Sequence, residues 1–285
     1  MRVVPYDNVA TFAERVTPFL LQREAENCFT LGRLSELAGA APGEAPPLMW
    51  AVQSDDGQVL ATATLSSGLH STRQRPVVVT RASHAVIDAL VEHCLTTGVT
   101  PPGVTAPDPT VDEFAAAWCA RTGQGRRLVH ALGLYHLTRV LPPARPARGE
   151  FRPGREDDFE TLVAWADAYF REIGEPESPD YCRQVIVDRI REGRVFLWCD
   201  GGPVAMAGWG GRTPNGVRIN FVYTPPARRG RGYASACVAA LTQRMLDDGR
   251  RFCFLFTDLS NPTSNRIYRA IGYEHLCNFK HIHFE

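Results

Sequence analysis

Apolar residues in the second half of the chain repeat first with a helical period and then with strand periods. Over residues 155–171, Phe159, Leu162, Val163, Ala166 and Phe170 fall on one helical face. A second helix is predicted over residues 179–192, opened by Pro179 and stopped at Gly193. Two short apolar runs, 194–199 and 204–210, flank Asp200-Gly201-Gly202, which reads as a hairpin turn. A strand follows over 217–224, then a glycine-containing loop and a helix to about Asp248. A strand at 251–258, a short helix at 263–271 and one or more strands at 273–284 complete the half. The predicted order is α-α-β-β-β-α-β-α-β.

The first half is a faded version of the same order. Two helical stretches precede Ala40, and strands are predicted at 48–53 and 59–65 around the turn Asp55-Asp56-Gly57. Residues 77–80 stand where the long central strand would be. A helix at 84–97, a strand near Val104, a helix at 111–122 and a strand at 127–140 follow. A Pro/Arg-rich linker, 141–151, divides the chain into 1–143 and 149–285. The first half has Ser83-His84 where the second has its glycine loop. The expectation is a tandem duplication in which one copy kept that loop.

That loop carries the chemistry. Phe221, Val222, Tyr223 and Thr224 end a strand, Pro225-Pro226 breaks it, and Arg229-Gly230-Arg231-Gly232-Tyr233-Ala234-Ser235 opens a helix. Such a loop can aim several backbone N–H groups at one anion, assisted by the positive end of the helix dipole. The arginines add charge where a pyrophosphate would lie. A dinucleotide-binding G-x-G-x-x-G loop is the rival, but Ser235 replaces its third glycine. The loop also follows hairpin-connected strands, not the first strand of a parallel unit.

Asn261-Pro262-Thr263-Ser264-Asn265-Arg266-Ile267-Tyr268 and then Arg269-Ala270-Ile271-Gly272-Tyr273 form a second motif. The R-x-x-G-x-A loop and this segment, in this order and spacing, closely resemble the GNAT superfamily of acyl-CoA-dependent N-acetyltransferases. The resemblance covers residues 151–284. The whole chain also resembles a smaller tandem group with a degenerate N-terminal half, through Glu24-Ala25-Glu26-Asn27, Thr30-Leu31-Gly32 and Phe114-Ala115-Ala116-Ala117-Trp118. The implied fold is α/β (α+β), with two GNAT-like domains, each a mixed, mostly antiparallel sheet flanked by helices. The implied cosubstrate is acetyl-CoA and the implied reaction is acetylation of an amine. A non-catalytic acyl-CoA-binding sensor or regulatory module is the alternative.

The resemblance also assigns roles by position. Backbone N–H groups from Arg229 through Gly230, Arg231, Gly232, Tyr233 and Ala234 to Ser235 would hold the pyrophosphate. Phe221, Val222, Tyr223 and Thr224 would pair with the pantetheine arm as an added strand does. The N–H of Tyr223 would stabilise the oxyanion. Asn261 would bond the pantetheine arm, and Asn265 would assist or cap its helix. Tyr268 would protonate the departing thiolate. Relatives often carry a basic Glu on the central strand, but 217–222 holds no carboxylate. Asp258, the cluster Glu172, Glu175 and Glu177, or a water chain are the candidate bases. That cluster would favour a cationic amine, and Trp209 and Asn220 are candidate lining residues.

Composition narrows the partners. The 285 residues are 44% apolar and carry 31 basic and 31 acidic side chains. Zero net charge argues against a general nucleic-acid or anionic-membrane binder. The N-terminus shows no signal pattern, and no apolar run approaches the roughly 18 residues that span a bilayer. Eight scattered cysteines without a CxxC pair fit a reduced, cytoplasmic protein. His281-Ile282-His283 places two imidazoles on one strand face, but further ligands are not evident, so no metal is expected. Arg145 and Arg148 solubilise the linker. A small-molecule acceptor is favoured over a protein.

Overall fold

The computed structural model describes residues 1–38, 47–65, 75–143 and 146–285. Arg145 lies outside the described residues. Among the described residues, twelve strands form one continuous sheet. In the first half they are β1 (Arg2–Tyr6), β2 (Leu48–Gln53), β3 (Val59–Leu65), β4 (Val77–Val79), β5 (Gly103–Pro107) and β6 (Arg126–Leu137). In the second they are β7 (Glu150–Pro153), β8 (Val195–Cys199), β9 (Pro203–Gly210), β10 (Gly216–Tyr223), β11 (Phe252–Asp258) and β12 (Glu274–Phe284). The helices are α1 (Val9–Leu20), α2 (Cys28–Ala38), α3 (His84–Thr96), α4 (Thr110–Thr122), α5 (Phe159–Glu172), α6 (Pro179–Arg191), α7 (Tyr233–Asp247) and α8 (Pro262–Ala270).

The spatial order is β1-β2-β3-β4-β5-β12-β6-β11-β10-β9-β8-β7. It reads the same from both ends if each strand of one half is exchanged for its counterpart in the other. Only β4–β5 and β10–β11 are parallel, at matching places in the two halves. The terminal strands have changed sides. β12 lies between β5 and β6, while β6 pairs with β11. The duplicated halves therefore share one sheet through exchanged strands.

Two edge strands fall outside the predicted elements. β1 is a five-residue segment containing Pro5, which an edge strand tolerates because one row of its donors needs no partner. β7 begins at Glu150, inside the predicted linker, and pairs with β8 from Glu150↔Cys199 to Pro153↔Phe196. Neither segment is long enough to display a period.

Helices cover both faces of each half-sheet. On one face α7 and α8 pack on β9, β10 and β11 through Cys237, Val238, Leu241 and Tyr268 against Val217, Ile219, Cys253 and Leu255. On the other, Leu162 and Ala166 of α5 and Cys182 and Ile186 of α6 meet Val195, Leu197, Met206, Phe221 and Tyr223. The helix starts have local causes. Ser178 accepts from the Tyr181 amide, with Pro179 in the first turn of α6, and Asn8 accepts from the Thr11 amide to open α1.

The seam between the halves is dry and close. Cys28, Leu134, Phe254 and Phe279 are buried together there, and burial of each Phe contributes about 2 kcal/mol. Gly32 of α2 sits directly on Gly211, which follows β9 with φ +57°. A Cβ on Gly32 would stand 3.0 Å from the Gly211 Cα, tighter than ordinary backbone contact, so glycine favours this approach. Glu24 accepts from the Asn215 backbone and side-chain N–H groups, both at 2.7 Å. Glu26 forms a fork-to-fork pair with Arg81 at 2.9 and 3.1 Å.

Candidate active site

Two features of β10 open a slot in the sheet. Its parallel pairing with β11 is confined to Gly216–Arg218 against Phe252–Phe254. Beyond that point β10 follows β9 and β11 follows β6, so the strands diverge toward their C-terminal ends. Backbone groups along a divergent edge need another partner. The second feature is a bulge. The register steps from Asn220↔Gly208 to Tyr223↔Met206, so Phe221 and Val222 together oppose Ala207. Phe221 takes φ +56°, unusual for a bulky side chain. The extra residue reverses the alternation. Val217 and Ile219 face α7, whereas Phe221 and Tyr223 face α5 and α6.

At the slot's mouth the chain turns through Pro225-Pro226 into the glycine loop. Gly230 has φ +76° and Gly232 has φ +81°, which keeps the amides turned outward ahead of α7. Gly232 is the N-cap and supplies no side-chain cap. The amides of Gly230, Arg231, Gly232, Tyr233, Ala234 and Ser235 have no acceptor among the described residues, and the helical ladder begins with Ala236 N–H to the Gly232 carbonyl. The Arg229 amide is already bonded to the Pro226 carbonyl, so the free run starts one residue later than the motif implies. The Arg229 side chain instead bonds the Thr224 carbonyl at 2.8 Å and Glu172 at 2.6 and 2.8 Å. Tyr233 is buried and donates to Asp200 at 2.5 Å.

α8 closes the other wall. Asn261 caps it, its Oδ1 accepting from the Ser264 amide at 3.0 Å. The Asn265 Nδ2 donates to the carbonyls of Asp258 at 3.0 Å and Asn261 at 2.9 Å, tying α8 to the end of β11. Its Oδ1 is buried without a partner, and so is the Thr224 hydroxyl. Two orphaned polar atoms at residues flanking one slot suit a hydrogen-bonding ligand. Tyr268 is 8% exposed, with its ring edge-on to Tyr273 at 6.1 Å. Burial, and then Tyr169, push its phenol above the ordinary tyrosine value, so it stays protonated at neutral pH.

Across the sheet from α7, helices α5 and α6 pack on β8, β9 and β10. The rings of Tyr169 and Phe170 stand 5.0 and 5.8 Å from that of Phe221. Their connection toward α6 places Glu175 against His130 of β6, Oε1 to Nε2 at 3.0 Å. His281 of β12 is the cross-strand partner of His130. The hydrogen bond that His130 donates to Glu175 holds the His130 pKa above its usual 6.5, against burial, and the same contact holds the Glu175 carboxyl low. Burial, then the His130 charge, drop His281 to about 4. The ring nitrogens and carboxylate of this trio lie within 4.8 Å of one another, a set that could accept a metal ion, but two of those atoms already bond each other.

The remaining predicted acids are dispersed. Glu172 is taken by Arg229, and Asp258 is exposed and accepts from Ser260. Trp209 is core, its indole donating to the Gly193 carbonyl, while Asn220 accepts from Arg189. His130 escapes sequence reasoning. It lies in the first half and reaches Glu175 only because β6 crosses to β11.

The profile of the Acetyltransferase (GNAT) family matches residues 159–273. A search of curated proteins finds no match. Solved structures resemble the chain over nearly its full length. A GCN5-related N-acetyltransferase from Sphaerobacter thermophilus aligns with TM-score 0.65 at 16% identity, covering 100% of this chain and 95% of that one. A Drosophila protein aligns with TM-score 0.68 at 14% identity, covering 99% and 98%. A tandem GNAT protein from the clavulanic acid biosynthesis pathway aligns with TM-score 0.57 at 15% identity, covering 100% and 98%. At these identities the likeness establishes the fold. No helix among the described residues is long and apolar enough to cross a membrane. The family profile is seated on the half that holds the slot and the glycine loop, and the tandem fold spans the chain, so residues 159–273 form an Acetyltransferase (GNAT) family domain within it.

Proposed function

We propose that the protein moves an acetyl group from acetyl-CoA directly to the amine of an acceptor, with residues 149–285 carrying the cosubstrate. The observation that bears most weight is the run of six unpaired amides from Gly230 to Ser235 beside a slot with orphaned polar atoms at Thr224 and Asn265. The amides suit a pyrophosphate. The diverging edges of Phe221, Val222, Tyr223 and Thr224 suit an amide-bearing arm lying as an extra strand, with Asn261 and Asn265 beside it. The first half has no comparable loop before α3, and its proposed part is to complete the acceptor site.

In this mechanism His130, oriented by Glu175, takes the proton of the incoming ammonium. The amine nitrogen attacks the thioester carbon, a C–N bond forms, and the carbonyl electrons move to oxygen beside the Tyr223 amide. Collapse breaks the C–S bond, and Tyr268 donates its proton to the thiolate and recovers one from solvent. His130 passes its first proton to solvent, and as a neutral imidazole again it takes the remaining amine proton of the tetrahedral intermediate. Burial raises the Tyr268 phenol, but the same dry slot raises the thiol, so acid and leaving group stay matched. Calorimetric titration of acetyl-CoA, followed by thiol release over an amine panel, tests the reading. Binding in the micromolar range with amine-dependent thiol release is expected, and absence of binding would overturn it.

A further inference from the structure

The α5–α6 face of the sheet holds two arginines that no carboxylate among the described residues pairs with. Arg189 of α6 reaches only uncharged acceptors, the carbonyls of Arg194 and Trp209 and the Asn220 side chain, at 3.3 to 3.5 Å. Its guanidinium stands 4.3 Å from the centre of the Phe221 ring, at the bulge. Arg218 leaves β10 at the last residue paired with β11, where the slot begins. Its Nε is buried without a partner, and its guanidinium lies 5.5 Å from the Phe29 ring of the first half. Neither arginine forms an ion pair with a described residue, whereas Arg152, Arg183 and Arg229 each do. Burial, then repulsion from Arg194 and Arg218, pulls Arg189 down to about 10, so it stays charged at neutral pH.

Two partly desolvated guanidinium groups on one face of the sheet, without a counter-charge, are costly. They are retained most economically where an anion joins them, and a carboxylate matches their donors two at a time. Both face the side of the sheet that holds Tyr169, whose hydroxyl feels Arg189, Arg218 and Glu175 together. The same face of the sheet thus carries a positive pair at Arg189 and Arg218 and, past the end of α5, a proton-accepting pair at Glu175 and His130. We infer that the acceptor is an amino acid-like zwitterion, its carboxylate held by Arg218 and Arg189 while its amine faces Glu175 and His130. This rests on the amine-acetylation reading above and narrows it. It keeps the cationic amine expected from the acidic 172–177 segment and adds a carboxylate to the same acceptor.

The test compares glycine, leucine, phenylalanine and glutamate with their carboxamides. Thermal stabilisation of the full chain is read without acetyl-CoA, and thiol release is read with it. Acids should stabilise the protein and be acetylated at least about tenfold better than the matching amides. Arg218→Met should erase that contrast and Arg218→Lys should restore part of it, while calorimetric binding of acetyl-CoA stays intact. Amides performing as well as acids, no acid distinguished from its amide in either readout, or an unchanged contrast in Arg218→Met would each overturn the inference. The wild-type contrast decides the matter even if a variant fails to fold. Loss of acetyl-CoA binding in the wild type would sink the transfer reaction instead, and the stabilisation readout would still report on the carboxylate site.

Discussion

Gly232→Glu separates the cradle from the rest of the fold, because a matched control exists on the same helix. Gly232 caps the start of α7 at φ +81°, and Gly249 follows its end at φ +91° with open space around it. A glutamate at either site adds one negative charge and adopts the left-handed region, which costs about 1–2 kcal/mol. At roughly 2.1 cal/mol/K per residue of unfolding entropy, either variant should melt about 2–3 °C lower. The helix dipole favours the charge at Gly232 and opposes it at Gly249, so the control is the less stable of the two by a few tenths of a kcal/mol. Only the Gly232 carboxylate meets the pyrophosphate. At about 5 Å and an effective dielectric constant near 20, each phosphate charge repels it by roughly 3 kcal/mol. That corresponds to about a hundredfold weaker binding. Gly249 lies about 22 Å away along the fifteen-residue helix and should bind acetyl-CoA like the wild type. Calorimetric titration of the three proteins reads this out directly. Near-wild-type affinity in a folded Gly232→Glu protein would remove the cosubstrate from this loop, and equal losses in both variants would show a global effect.

Tyr268→Phe should lower kcat by about 10²-fold or more while leaving acetyl-CoA affinity unchanged; a matching loss of affinity would make the residue a packing element. Glu175 holds the His130 pKa up, so the neutral imidazole needed for proton uptake is lost as pH falls through a value above 6.5. In Glu175→Gln the acid limb of the kcat/KM profile should move to lower pH and the plateau should fall about tenfold or more; an unmoved limb would exclude His130 as the base. Glu24→Ala removes two charge-assisted bonds across the seam and should cost about 2–4 kcal/mol in urea unfolding. A change below about 0.5 kcal/mol would show that this clamp is idle.

Contiguous features were legible in the sequence. The glycine loop, the Asn261-to-Tyr273 segment and the hairpin at Gly201-Gly202 each declare themselves within a few residues. The bulge at Phe221 is not legible, because its apolar neighbours suit either face of the strand. The pairing of His130 with Glu175 is not legible either, since it depends on which strand β6 joins. A single sequence does not state strand order. The arginine pair was half visible. Arg218 alternates with Val217 and Ile219 and so had to face away from α7, but Arg189 joins it only through the packing of α6 over Phe221. Glu24, Glu26 and Gly32 entered as marks of a tandem pattern, and their contacts show the physical demand behind them. They hold or admit the other half.

The exchanged strands impose an order of assembly during synthesis. When β6 has been made, its neighbours β11 and β12 do not yet exist, and β5 also awaits β12. Residues 274–284 follow only after well over a hundred further residues, about 7–30 s at 5–20 residues per second. Through that interval the first half presents two unpaired edges, a template for pairing with another nascent chain. The register that eventually closes the gap runs along ten residues of β6, from Glu274↔His136 to Phe284↔Arg126. The two halves therefore mature as one cooperative unit, and the slow step in reaching the native state should be the threading of β12 rather than the folding of either half.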